Sequence, residues 1–388
     1  MEYIKIKEFA KVVSGSTPKT NVEEYWNGQY PWITPAELDK NTQYIYETRR
    51  KLTDLGVKSA NLNLLKKGSV LLTSRAPIGK VAIAGIDLYC NQGFKNLVCN
   101  EQIIVPQYLY YWLSSKVDYL NSLGRGATFK EISKSIVEEI EVPIHKLEIQ
   151  QKIATILDKA QSLIDKRKEQ IEACDELVKS LFYEMFGDPV KNDKGWESYV
   201  LEDVTNFITY GLTIRPNYVE IGVPLISAKE IKCGKVDLMN AANISEEDFN
   251  SLSDKARPQK GEILFSKTGS IGHCAYIEVD TKFAVTQNAA RISLKNTWLN
   301  GKWMLYYLRT HYIQQLSNNL AKGNAVRDLQ IQDMKKLPIM TPPLHLQNKF
   351  AAQVEKIEQQ KQLLEQSLAE LENNFNSLMQ RAFKGELF

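Results

Sequence analysis

Leu147–Phe186 reads LEIQQKIATILDKAQSLIDKRKEQIEACDELVKSLFYEMF. In it Ile149, Ile153, Ile156, Ala160, Leu163, Arg167, Ile171, Cys174, Val178, Leu181 and Met185 recur at intervals of three and four. Only Arg167 breaks the apolar stripe, and Ile164 sits beside it on the same face. No Gly or Pro falls inside, and charges of both signs fill the other faces. The pattern predicts one long amphipathic helix with a coiled-coil seam, about 60 Å if unbroken. Such a helix cannot bury its stripe alone. Residues 344–383 supply the partner, with Phe350, Val354, Ile357, Leu364, Leu368, Leu371, Phe375 and Leu378 at matching intervals. The expected seam therefore takes Ile149, Ile153, Ile156, Leu163, Ile171 and Val178 from the first helix. From the second it takes Phe350, Val354, Ile357, Leu364, Leu368 and Leu371.

The two helices are copies. A shift of 197 residues lays Gln150-Gln151-Lys152 on Gln347-Asn348-Lys349, Leu181 on Leu378 and Phe186 on Phe383. The repeat extends upstream. Tyr30-Pro31-Trp32-Ile33 falls on Val223-Pro224-Leu225-Ile226 and Lys67-Gly68-Ser69-Val70-Leu71 on Lys260-Gly261-Glu262-Ile263-Leu264, both at 193. Gln92 falls on Gln287 at 195, and residues 126–132 on 323–329 at 197. A self-similarity of this length fixes the architecture before any local reading does. The expected fold is α+β: two pseudo-repeated domains, each followed by a long α-helix, with the two helices pairing as an antiparallel coiled coil. The boundaries read as 1–145 for the first domain and 146–187 for its helix. The second domain with its linker spans 188–342, and its helix 343–388. Within the first domain, short strands are expected at 30–33, 69–73, 81–84 and 96–98, and a helix between Pro106 and Leu123.

Composition narrows the function classes. The 388 residues are 43% apolar, enough for two sizeable cores. No apolar run reaches membrane-spanning length, and the first residues carry no signal-peptide core, so a cytoplasmic chain is expected. Cys90, Cys99, Cys174, Cys233 and Cys274 are odd in number and never in a Cys-x-x-Cys pair, which reads as reduced thiols. The four histidines are scattered, giving no metal site. No Gly-x-x-x-x-Gly-Lys-Ser/Thr loop is present to cradle a triphosphate, and no Asn-Pro-Pro-Phe/Tyr or Asp-Pro-Pro-Tyr marks an amino-methyltransferase site. Glu230-Ile231-Lys232 resembles a nuclease triplet, but its counterpart Glu37-Leu38-Asp39 lacks the lysine. No catalytic residue is assigned.

Net charge is only +3, yet it is unevenly placed. Residues 49–134 hold 13 Lys and Arg against 5 Asp and Glu, and residues 255–336 hold the same 13 against 5. The helices are near neutral, so positive charge gathers in the later part of each domain, as a polyanion-binding surface requires. Two loops carry it. The first is Thr73-Ser74-Arg75-Ala76-Pro77-Ile78-Gly79-Lys80, equivalent to Ser266-Lys267-Thr268-Gly269-Ser270-Ile271-Gly272-His273. The second is Gly124-Arg125-Gly126-Ala127-Thr128-Phe129-Lys130, equivalent to Ala321-Lys322-Gly323-Asn324-Ala325-Val326-Arg327. Both second loops keep a cation, a glycine and another cation while the fill changes. That suits a reader of different sequences on one scaffold, because Lys and Arg donate to phosphates and to guanine O6 and N7. The DNA-binding candidates are Arg75, Lys80, Arg125 and Lys130 in the first domain and Lys267, His273, Lys322 and Arg327 in the second.

At these motifs the chain resembles the specificity subunits of type I restriction–modification systems. The resemblance covers essentially the whole chain. It rests on Leu72-Thr73-Ser74-Arg75-Ala76-Pro77-Ile78-Gly79, Asn91-Gln92-Gly93-Phe94-Lys95, Gln150-Gln151-Lys152-Ile153, Met185-Phe186-Gly187-Asp188-Pro189 and Ala382-Phe383-Lys384-Gly385-Glu386-Leu387. The second domain departs from the pattern at Thr286-Gln287-Asn288-Ala289-Ala290, which lacks the Gly-Phe pair. The resemblance implies two target-recognition domains, each reading half of a split double-stranded DNA site, with the paired helices as spacer and dock. It implies methyltransferase subunits as partners, two copies, and restriction/translocase subunits beside them. S-adenosylmethionine, ATP and Mg would then sit on those partners, with no cofactor in this chain. Two other classes compete: a coiled-coil-spaced tandem scaffold without DNA sequence specificity, and an unrecognised DNA-acting enzyme. Unaided cleavage or modification of DNA would favour the enzyme, and indifference to DNA sequence the scaffold.

Overall fold

The computed structural model describes residues 1–39, 42–126, 130–212, 216–232, 234–278, 280–324 and 326–388. The chain forms two compact units, Met1–Glu169 with Glu365–Phe388, and Gln170–Leu364. This division differs from the sequence boundaries. The long helices are not separate domains, because each gives its N-terminal and C-terminal parts to different units. The cause lies in the packing: each domain core takes in the start of its own helix and the end of the other one.

In the first unit the central sheet has five strands, ordered Ala10–Ser14, Lys95–Cys99, Val70–Leu72, Val81–Ala84 and Tyr44–Ile45. Its pairings are antiparallel except the last, which is parallel. Its strands Val70–Leu72 and Val81–Ala84 are apolar and buried on both sides, Val70, Leu71 and Leu72 all being inaccessible. A second sheet pairs Arg50–Leu52, Trp26–Ile33 and Tyr89–Cys90, and Arg50 lies 3.4 Å above the Trp26 ring. The expected helix between Pro106 and Leu123 is two helices, Pro106–Ser114 and Val117–Leu123. Glu2–Lys5 pairs antiparallel with Glu141–Ile144 and so closes the beginning of the domain on its end.

The second unit repeats this plan. Thr205–Tyr210, Ala289–Leu294, Glu262–Ser266 and Cys274–Tyr276 form its main sheet, and Tyr218–Val219, Ala242–Ile244, Val223–Ile226 and Ala284–Val285 the smaller one. Ser198–Val200 pairs with Pro338–Met340 as the equivalent clasp.

The long helices run Leu147–Phe186 and Leu344–Lys384. Gly187, at φ +78°, ends the first in a backbone conformation that favours glycine. In the first unit Ile153 and Leu157 share a core with Ala382 and Phe383, and Lys168 meets Glu372 at 3.3 Å. Ascending numbers on one helix thus meet descending numbers on the other. In the second unit Asp175 meets Lys361 at 2.6 Å, and the Phe186 and Phe350 rings are 5.5 Å apart. The helix segments are antiparallel in both units.

The seam departs from the expected register at two positions. Leu163 is 55% exposed, and Ile164, at 3%, takes its buried place. Leu157, fully buried, takes the place expected of the half-buried Ile156. Ile153, Val178, Phe350 and Val354 are buried as expected, while Ile149, Ile171, Ile357, Leu364, Leu368 and Leu371 are half-buried. A stripe spaced by three and four drifts around a straight helix, and the domain cores decide which neighbour turns inward.

Among the described residues no disulfide forms; Cys90 and Cys274 are buried free thiols, and Cys233 lies outside the described residues. Burial pushes the Cys90 thiol up to about 12 and raises that of Cys274 as well. Both therefore stay protonated and unreactive. Iodoacetamide at neutral pH is expected to spare them in the native chain and to label them after unfolding. Rapid native labelling of Cys274, read by peptide mass spectrometry, would contradict this burial.

Candidate nucleic-acid interface

The two basic loops of each domain, separate in sequence, are one construction in space. In the first unit Ile132 N–H donates to the Ser74 carbonyl at 2.9 Å, joining loop 124–132 to loop 73–80. Arg125 and Glu131 exchange both backbone hydrogen bonds at 3.0 Å, closing the base of the second loop like a hairpin. In the second unit Leu329 N–H donates to the Lys267 carbonyl at 2.7 Å, and Lys322 and Asp328 exchange bonds of 2.9 and 2.8 Å. Gly126 and Gly323 follow the first cation at φ +119° and +113°. At Gly323 a Cβ would stand 2.3 Å from the Val326 carbonyl oxygen, so both conformation and space require glycine.

A carboxylate sits at the base of each second loop. Glu131 accepts from Arg75 Nε at 2.9 Å and from Lys95 Nζ at 3.0 Å. Asp328 accepts from Lys267 Nζ and from the Thr268 hydroxyl. Burial alone would raise the Glu131 carboxyl, but the hydrogen bonds from Lys95 and Arg75 outweigh it and hold it below the ordinary value. The same balance, with Lys267 and Thr268 as donors, holds Asp328 low. Both are ionised at neutral pH.

The candidate cations divide into two groups. Arg75, Arg125, Lys130, His273, Lys322 and Arg327 are exposed. Lys322 also meets Asp333 at 3.1 Å, and Arg327 donates back to the Asn318 and Ala321 carbonyls. Lys80 and Lys267 turn inward instead, correcting the expectation that they face a ligand. Lys80 Nζ donates to the Leu38 carbonyl, and Lys267 is 9% exposed and bound to Asp328. Residues 127–129 and 325 of the second loops lie outside the described residues.

Sequence reading missed Lys95, Glu131 and Asp328 as members of the site. A signal was available, since an acid occupies the same place in both copies of the repeat. Among the described residues no group of three or more His, Cys, Asp or Glu could hold a metal ion, and no helix is long and apolar enough to cross a membrane.

This doubled arrangement agrees with comparison to known proteins. The type I restriction modification DNA specificity domain matches residues 1–173 and again 193–373. The chain belongs to that family. Each specificity domain carries one loop pair and the first part of one long helix. Among the relatives, the type I restriction enzyme MjaIX specificity subunit of Methanocaldococcus jannaschii is 34% identical over 374 residues, covering 90% of this chain and 85% of the relative. The solved structures show the same fold. A chain from a structure of the type I R-M system superposes with a TM-score of 0.64 at 19% identity, covering 100% of this chain and 98% of that one. The S subunit of the type I restriction-modification system from M. genitalium gives 0.59 at 16% identity, covering 98% and 96%. The specificity-domain repeat found by family comparison is the one that the 193- to 197-residue offsets give.

Proposed function

We propose that the chain is the DNA-reading, non-catalytic subunit of a type I restriction–modification assembly. Each specificity domain reads one half of a split double-stranded site. The paired helices set the spacing between the halves and dock methyltransferase subunits, two copies, with restriction/translocase subunits joining the assembly. S-adenosylmethionine, ATP and Mg belong to those partners. The observation that carries this reading is the loop pair built twice, with the same backbone closure and a carboxylate in the same place, while the residues between the two cations differ in identity. A general polyanion binder would have no use for a kept frame with a changed surface. The test is methylome sequencing of a host with and without this chain. A split motif methylated only when the chain is present is expected; an unchanged methylome would overturn the reading.

The exposed loop cations carry a further expected outcome. Arg125→Ala or Lys130→Ala weakens binding through the first half-site only, and Lys322→Ala or Arg327→Ala through the second only. Loss of a bidentate base contact costs about 1–3 kcal/mol at one base pair, whereas loss of a phosphate contact weakens all sequences alike. Titration against duplexes mutated in one half-site distinguishes the two. If all four variants bind every duplex as the parent does, the loops are structural.

A further inference from the structure

The carboxylate at the base of each second loop is met by a buried lysine, but that lysine comes from a different place in each domain. In the first unit it is Lys95, on the strand Lys95–Cys99, 7% exposed and 3.3 Å from the Ser74 hydroxyl. In the second it is Lys267, on the loop itself. The repeat aligns Ser74 with Lys267 and Lys95 with Ala290. The backbone register agrees: Thr73 bridges Phe94 in the first unit, and Ser266 pairs with Ala289 in the second. Each pair of positions therefore holds one lysine and one small residue, in opposite order. Both arrangements bring one ammonium to the same carboxylate, at 3.0 Å on Glu131 and in direct contact on Asp328.

A charge that moves between two positions while its target stays is the pattern of a function kept by compensation. The target carboxylate belongs to the residue that closes the loop base, one step before the bond to Ser74 or Lys267. Without its lysine the carboxylate keeps only its outer partners, Arg75 on Glu131 or Thr268 and Gln330 on Asp328, and loses the one ammonium that holds it from the buried side. The exposed cations ride on that base.

We infer that Glu131 and Asp328 are positioning residues for sequence reading, each latched by one lysine that either of the two positions can supply. The latch holds the base of the loop, which carries the exposed cations; it does not touch DNA. This inference rests on the proposed reading of DNA by these loops.

The test uses the full chain and duplexes carrying its methylated motif, with each half-site base substituted in turn. Lys95→Ala is expected to flatten the base preference at the first half-site on the order of tenfold, with the second half-site unchanged. Adding Ser74→Lys to Lys95→Ala is expected to restore the preference. In the second unit Lys267→Ser should act on the second half-site alone, and Ala290→Lys should restore it. The untouched half-site reports that the other unit is folded, and circular dichroism of each variant reports on the substituted one. Rescue by the transposed lysine supports the latch, because a lysine needed for packing at its own position could not be replaced from the other. Unchanged preference in Lys95→Ala and Lys267→Ser, or loss without rescue in both units, would overturn it. A parent chain that shows no base preference at either half would instead overturn the reading on which the inference rests.

Discussion

Ile164→Asp is expected to unfold the packing of its unit, whereas Leu163→Asp, one residue earlier, is expected to leave it intact. The two residues differ only in which side of the helix faces the seam: 3% of Ile164 is exposed and 55% of Leu163. A carboxylate at position 164 would have to be buried without a partner or force the seam apart. Burying even a neutral polar group unpaired costs roughly 2–7 kcal/mol, a large part of the roughly 5–15 kcal/mol that holds a domain folded. At position 163 the new charge stays in water, and the change should stay within about 0.5 kcal/mol. Urea denaturation followed by circular dichroism separates the pair. Equal losses would show that the helix register is wrong. Ile171→Asp and Leu368→Asp fall where the seam is half-buried, so they should cost less and leave the domains folded. Their effect should appear in the loss of preference for one spacer length between half-sites.

The second large effect belongs to a pair of glutamines. Gln150 and Gln347 are both fully buried. Gln150 accepts from Val105 N–H at 2.9 Å and donates to the carbonyls of Ile103 and His145 at 2.9 and 2.8 Å. Gln347 does the same with Asn300 N–H at 2.8 Å and the carbonyls of Trp298 and Pro342 at 3.0 and 2.7 Å. Each side chain thus ties the start of a long helix to the segment entering the domain's shorter helix and to the chain leading into its own helix. Replacing either by Leu strands one backbone donor and two acceptors. At about 1–3 kcal/mol for each unsatisfied buried group, Gln150→Leu or Gln347→Leu should lower stability by about 3 kcal/mol or more. Gln150→Glu keeps the shape but sets oxygen against the Ile103 and His145 carbonyls, so it should also destabilise at neutral pH. Denaturation midpoints are the measurement. A Glu variant as stable as the parent would show that volume, rather than hydrogen bonding, is what the site requires.

The repeat and the helix pair were legible because they rest on periodicity, which needs no knowledge of the partner. Gln150 and Gln347 could be aligned from the sequence, but their role could not be read there. A buried amide is recognised only through backbone groups that are remote in the chain. Leu163 was misplaced because two apolar neighbours on one helix turn are equivalent until a core selects between them. The domain boundaries differed for the same reason: a pattern along one helix does not say which core receives its far end. Lys267 and Lys80 read as surface cations because composition does not distinguish a solvated lysine from one held by Asp328 or the Leu38 carbonyl. Glu131 and Asp328 were overlooked because acids argue against a polyanion surface when counted, although in place they accept from the cations Arg75, Lys95 and Lys267.

The central claim is that two copies of one reading unit each govern their own half of a split site. The most direct measurement is sequencing of methylated positions in one host carrying, in turn, the parent chain, Arg125→Ala and Lys322→Ala, with the same methyltransferase subunits. The account predicts a split motif for the parent, a motif relaxed in one half alone for Arg125→Ala, and a motif relaxed in the other half alone for Lys322→Ala. A motif that changes in both halves with either substitution would contradict it.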